Sequence, residues 1–148
     1  MKLRMATLED LPAICALGRS MHSQSTFAPM NYDIDRVKET IGGLIDKSQF
    51  VVVAEATNGE VIGGMAGMVT QSWFGSDSVA NDLAIFIHPS HRGGVLAVRL
   101  MKAFIEWARL AGAKQIRPGV TTGHARAEEL FERLGFVRCG ASFVMEGV

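Results

Sequence analysis

Polar and apolar positions alternate over residues 2–6, which predicts a short strand, and the period then lengthens to that of a helix. Asp10 stands where an N-cap belongs, with Pro12 tolerated in the first turn, and Leu11, Ile14, Cys15, Gly18, Met21 and His22 share the face that follows. Residues 23–31, with Pro29, read as loop. A second helix starting near Asp33 places Val37, Ile41, Leu44 and Ile45 on one stripe, and Gly42 and Gly43 weaken it. Residues 49–56 form a β-rich run, and Asn58-Gly59 predicts a two-residue hairpin turn. The returning strand, residues 61–69, carries Gly63, Gly64 and Gly67, so it is either bulged or closely approached by another backbone. A polar loop over residues 71–80 holds Trp73 and Phe74, placed by this reading at the rim of a site, as a loop anchor or at a dimer contact. From Asn81 an apolar strand runs to a Pro89 turn, an Arg92-Gly93-Gly94 loop and a long amphipathic helix. A strand over residues 115–120, a helix over 124–134 capped by Gly135, and a last strand (or two short ones) within 136–145 complete the pattern.

This order predicts a mixed α/β sheet covered by helices, in a single domain spanning residues 1–148. Neither GxxxxGK[ST] nor a GxGxxG after a strand occurs, so a doubly wound nucleotide fold is rejected. With 48% apolar and 20% charged residues the composition is that of an ordinary globular protein. Fifteen basic and fifteen acidic residues cancel, which implies no broad nucleic-acid or membrane surface. Cys15 and Cys139 show neither metal spacing nor a disulfide framework and read as plain buried thiols. His88 and His91 flank Pro89 with no Cys or carboxylate beside them, so no metal is expected. The N-terminus turns acidic before a signal-peptide core can form, and no run is long enough to span a membrane, so a cytoplasmic protein is expected.

The chemistry concentrates between Asn81 and Ala111. No acidic side chain lies between Asp82 and Glu106, while Arg92, Arg99 and Lys102 all do. Backbone N–H groups of a glycine loop and a helix N-terminus, set beside an arginine, form a site for an anion such as phosphate.

The residues Ile87-His88-Pro89 followed by Arg92-Gly93-Gly94-Val95-Leu96-Ala97, with the later HARAEELFERLGF, resemble the GNAT family of acyl-CoA-dependent N-acyltransferases, in particular its phage and prophage members. Arg92 and Ala97 match the ends of the family loop; Val95 stands where its central glycine is usual, and Gly93-Gly94 come early. The resemblance implies a central, mostly antiparallel sheet with one splayed parallel strand pair, flanked by helices. It implies that the amides of Gly93, Gly94, Val95, Leu96, Ala97 and Val98 hold the coenzyme A diphosphate, with acetyl-CoA as cosubstrate. The pantetheine arm would lie along Ile85 and Ile87. Val95 fits this scheme if its side chain points into the core.

For the transfer step the resemblance implies a carboxylate near the start of this strand as general base, and Asp82 is the candidate, with Glu55 a weaker one. The family's tyrosine acid, in the helix before LGF, is replaced by Phe131, which contacts coenzyme but donates no proton. His124, opening that helix, is placed near pantetheine. His22 lies about 20° from Leu11 on a helical wheel, on the buried face beside the acceptor loop, and is the second catalytic candidate. Glu128, Glu129 and Glu132 read as the wet face of their helix. The implied activity is acetyl transfer to a primary amine of a small molecule or peptide, by direct attack in a ternary complex. The alternative, motivated by Phe131, is a non-catalytic acyl-CoA-binding or interaction module. A homodimer is compatible with the resemblance, and no exposed apolar stripe decides it.

Overall fold

The computed structural model describes residues 1–121 and 125–148. Five strands form one sheet in the order β1 (Lys2–Met5), β2 (Phe50–Glu55), β3 (Val61–Gln71), β4 (Ser78–Ile87), β5 (Gln115–Arg117). The first three pairings are antiparallel and β4–β5 is parallel. Helices α1 (Leu11–Ser23) and α2 (Ile34–Asp46) cover one face, and α3 (Leu96–Leu110) and α4 (Ala125–Arg133) the other.

Because both faces are covered, β2 is an unbroken apolar run sorted by its period of two. Phe50, Val52 and Ala54 pack with Leu100, Met101 and Phe104 of α3, whereas Val51 and Val53 pack with Ile14 and Leu17 of α1 and Ile41 and Leu44 of α2. The β3 glycines make room for neighbours. A Cβ on Gly64 would stand 2.6 Å from the Phe86 ring, and one on Gly67 would stand 2.6 Å from the Phe104 ring.

Asp10 does precede α1, but its side chain turns back to accept from the Thr7 N–H at 2.8 Å and to pair with both terminal nitrogens of Arg4. Asp33 caps α2 with its side chain, accepting from the N–H groups of Asp35 and Arg36. The Arg4 guanidinium also binds Glu55 at 2.6 Å, so β1, β2 and the turn into α1 share one ion cluster. These two carboxylates raise the Arg4 pKa, and Arg4 in turn holds Asp10 below the usual carboxylate range.

Several expectations are corrected. The β2–β3 connection is a three-residue loop, with Gly59 N–H donating to Ala56 and Ala56 N–H donating to Glu60. Only Gly59 has positive φ (+86°); a two-residue type I′ turn would require it of Asn58 as well. Of the β3 expectation both alternatives hold. Ala54 pairs with Gly63 and Glu55 with Val61, so β3 has an extra residue at Ile62, and a Cβ on Gly64 would lie 2.6 Å from the Val52 carbonyl. Strand β4 has a bulge of its own, where Ala66 pairs with Ala84 and Gly67 with Asp82, which leaves Leu83 as the extra residue. No strand forms after α4. Phe136 folds back against Phe131, and residues 137–148 are exposed. Cys15 is buried as expected, but Cys139 is exposed, its sulfur 3.4 Å from an Arg117 nitrogen.

Candidate active site

Strand β5 pairs with β4 only from Val79 to Asn81, while β4 continues to Ile87. Beyond that point the two strands diverge, and the β4 edge from Asp82 onward faces no strand on that side. The divergence begins at the Leu83 bulge. Ala80 packs in the α3-side core, yet Ala84 and Phe86 pack on the α1/α2 side. In a regular strand all three would share a face; one extra residue reverses it. Ile85 and Ile87 thereby turn toward the α3 side, where both are half-buried.

Asp82 sits at the fork. One carboxylate oxygen accepts from the Gly119 N–H at 3.1 Å, just past the end of β5. Burial lifts its pKa from 3.8 to about 6, against the opposing pull of the Gly119 and Asp82 backbone N–H groups. A carboxyl poised there changes charge near neutrality and suits proton transfer.

At the other end of the open edge the chain turns through a short 3₁₀ segment (Pro89–His91) into α3. Gly93 adopts φ +80°, which a side chain would strain. The first hydrogen bond of α3 runs from Arg99 N–H to Val95. Among the described residues, the N–H groups of Gly93 to Val98 bond to no backbone carbonyl, which leaves six donors at the positive end of a helix. The condition placed on Val95 is not met: its side chain is 66% exposed, and Leu96, 3% exposed, takes the core position. Val95 is the N-cap residue, outside the apolar stripe of α3, and Leu96 begins that stripe.

Arg92 holds this loop in place. Its Nε donates to the Ile87 carbonyl at 3.0 Å, and its terminal nitrogens reach Gln24 and Ser20 at the end of α1. The loop after α1 closes the site from a third side, since Thr26 N–H donates to Thr121 at 2.8 Å. Gly119, Thr121 and Gln24 were not singled out by sequence. Only Pro118-Gly119 after a strand carried a signal, and that pair occurs in many plain turns.

The remaining candidates separate. His22 is half-buried near the end of α1, its ring 5.3 Å from that of Tyr32, with no hydrogen bond to Asp82. Tyr32 donates its hydroxyl to the Cys15 carbonyl. Phe131 packs on Phe136 and the α3-side core. Glu55 is engaged by Arg4, and Glu128, Glu129 and Glu132 are exposed. His124 lies outside the described residues. Trp73 and Phe74 do not line the cleft. They project from the β3–β4 turn, at the end of β4 opposite the Arg92 loop, with Trp73 94% exposed.

The site thus has a donor-rich loop, an open strand edge, and a carboxyl at the inner end. Solved structures share this fold. A ribosomal-protein-alanine N-acetyltransferase from Brucella melitensis superposes with a TM-score of 0.78 at 25% identity, covering 95% of this chain and 86% of that one. A predicted acetyltransferase from Clostridium acetobutylicum, crystallised with acetyl-CoA, gives 0.79 at 12% identity over 98% and 95%. An acetyltransferase from Trypanosoma brucei gives 0.74 at 19% identity over 98% of each chain. No curated protein sequence matches the chain. The profile of the acetyltransferase (GNAT) family matches residues 17–136, so the chain belongs to that family.

Proposed function

We propose that the protein transfers an acetyl group from acetyl-CoA to a primary amine by direct attack, with Asp82 as general base. The observation that carries this reading is an unpaired stretch of β4 with a carboxyl lifted to about 6 at one end and, past the other, six N–H groups that bond to no backbone carbonyl. Gly93 to Val98 receive the diphosphate, and Ile85 and Ile87 flank the pantetheine arm. The amine nitrogen attacks the thioester carbon, its proton passes to Asp82, and the C–S bond breaks as the C–N bond forms. With Phe131 in place of an acid the sulfur leaves as thiolate, which a thiol pKa of about 8.5 permits.

The rim favours one class of amine. Residues 11–32 and 115–121 contain no Asp or Glu, so a second positive charge on the acceptor would find no partner there. An α-amine, with a pKa of about 8 rather than the ~10.4 of an alkylamine, is far more often neutral at physiological pH. The name of the Brucella melitensis protein, an alanine N-acetyltransferase of ribosomal proteins, supports a polypeptide α-amine as acceptor.

The test follows thiol release from acetyl-CoA with peptides, amino acids and polyamines. Wild type should release thiol with peptide N-termini, and Gly94→Glu should lose acetyl-CoA binding by about 100-fold or more. A Gly94 side chain meets nothing closer than the His91 carbonyl at 4.0 Å, so the melting temperature should hold. Binding without thiol release from any amine would favour a non-catalytic acyl-CoA module, the reading to which Phe131 lends weight.

A further inference from the structure

A closed circuit of contacts surrounds the unpaired stretch of β4. At its outer end the Ile87 carbonyl accepts from Nε of Arg92 at 3.0 Å, and a terminal nitrogen of the same guanidinium donates to Oε1 of Gln24. Two residues further along the chain, the Thr26 N–H donates to the Thr121 carbonyl at 2.8 Å. Two residues before Thr121, the Gly119 N–H donates to the Asp82 carboxylate at 3.1 Å, at the inner end of the same stretch. From Asp82 the strand itself leads back to Ile87. Residues 24–26 therefore form a strap that joins the two ends of the open edge. A side-chain contact ties it on the Arg92 side, and a backbone contact ties it on the Asp82 side.

The strap is a built turn. Ser25 is buried between exposed Gln24 and Thr26; its hydroxyl donates to the His22 carbonyl at 2.9 Å and accepts from the Phe27 N–H at 3.2 Å. Those bonds fix the shape of the turn, whereas its seat over the open edge depends on the contacts it makes outside itself. Gln24 ends α1 with its N–H donating to Met21 at 3.1 Å, which leaves its side chain to meet Arg92. Loss of the Gln24 side-chain acceptor leaves Arg92 bonded to Ile87 and, at 3.4 Å, to Ser20 inside α1. The loop ahead of α3 then stays in place, and the strap is what becomes free to shift. Its other tie, at Thr121, lies two residues from the Gly119 N–H that Asp82 accepts, so a shifted strap alters the approach to that carboxyl.

We propose that Gln24 is a positioning residue for the acceptor: held by Arg92, it keeps residues 24–26 across the open edge and so fixes the seat of the amine beside Asp82. The inference rests on the acetyl-transfer reading of the site. Gln24→Leu keeps the bulk of the side chain and removes its acceptor, whereas Gln24→Glu keeps an acceptor for Arg92. With a peptide that wild type acetylates, Gln24→Leu should raise the KM for the amine about three- to tenfold, the span of one lost hydrogen bond. Its kcat, and its calorimetric Kd for acetyl-CoA, should stay within about twofold of wild type. Gln24→Glu should restore the wild-type KM. Amide hydrogen exchange reads the strap without turnover: the Thr26 N–H should exchange about three- to tenfold faster in Gln24→Leu and at the wild-type rate in Gln24→Glu. An unchanged KM or an unchanged Thr26 rate in Gln24→Leu overturns the proposal, as does an equal loss in both variants. A Kd for acetyl-CoA that rises along with the KM also overturns it, by placing Gln24 in the donor site. If wild type acetylates no amine, the transfer reading fails and the acceptor role with it. That outcome is distinct from the others, because Thr26 exchange still shows whether Gln24 holds the strap.

Discussion

Asp82 shows how one residue type acquires a role from where the chain places it. A carboxylate at a strand end is ordinarily solvated; here a fork in the sheet partly buries it and gives it an N–H partner from across the fork, Gly119. Asp82→Asn retains an acceptor for that N–H and removes the base. The kcat/KM for amine acetylation should fall by about 10²–10⁴-fold, and the wild-type rise in rate through about pH 6 should disappear from the pH profile. The same substitution should stabilise the fold in base. Because the folded-state pKa is raised from 3.8 to about 6, ionisation of Asp82 weighs against the fold, fully above pH 6 and not at all below 3.8. Urea denaturation should therefore show Asp82→Asn more stable by roughly 1–3 kcal/mol at pH 8, with the difference gone at pH 3.5. Equal stability at pH 8 would mean the carboxyl is well solvated. The candidate was legible because no other acid lies between it and Glu106. Its partner was not, since a backbone N–H has no sequence signature.

At the scale of elements, periodicity placed all four helices and the five strands that form, and caps located the starts of α1 and α2. It failed where geometry depends on a neighbour. The sequence of β4 alternates without a mark at Leu83; the bulge exists because Ala80 and Phe86 must serve cores on opposite faces. The expected last strand had suitable residues, yet residues 137–148 pair with no strand and are exposed. The β3 glycines were legible as a signal but not in meaning, and they divide by what surrounds them. Gly67→Ala should cost about 1–3 kcal/mol by overpacking, since its Cβ would meet Phe104 at 2.6 Å and the Asn81 carbonyl at 3.0 Å. Gly43→Ala in α2 meets nothing within 4 Å and should instead stabilise by about 0.5–1 kcal/mol. Thermal melts of the two variants should move in opposite directions, and a shared direction would refute this account of the packing.

Across the whole molecule, long-range polar contacts join segments that the hydrophobic layers alone would leave free to shift. Arg4 connects β1, β2 and the entry to α1, and Arg92 connects the loop before α3 to the end of α1. Arg4→Ala would leave Asp10 buried without its cation and should destabilise by about 2–3 kcal/mol at pH 7. Asp10 is held low in the folded state, so the stability it supplies is present above the unfolded carboxylate pKa and is lost as pH falls through the folded one. Equilibrium denaturation should accordingly show the gap between wild type and Arg4→Ala narrowing below about pH 4; a gap constant with pH would assign the loss to packing alone. The sequence by itself determined the helices, the strands, the anion-favouring loop and the lone acid, because periodicity, capping and charge are local properties of the chain. The tertiary structure alone decided where the sheet opens, that Val95 is exposed, and that Arg92 reaches α1. Each of those depends on atoms brought together from distant or differently turned residues, and no local pattern encodes the direction of a side chain relative to a partner that only folding supplies.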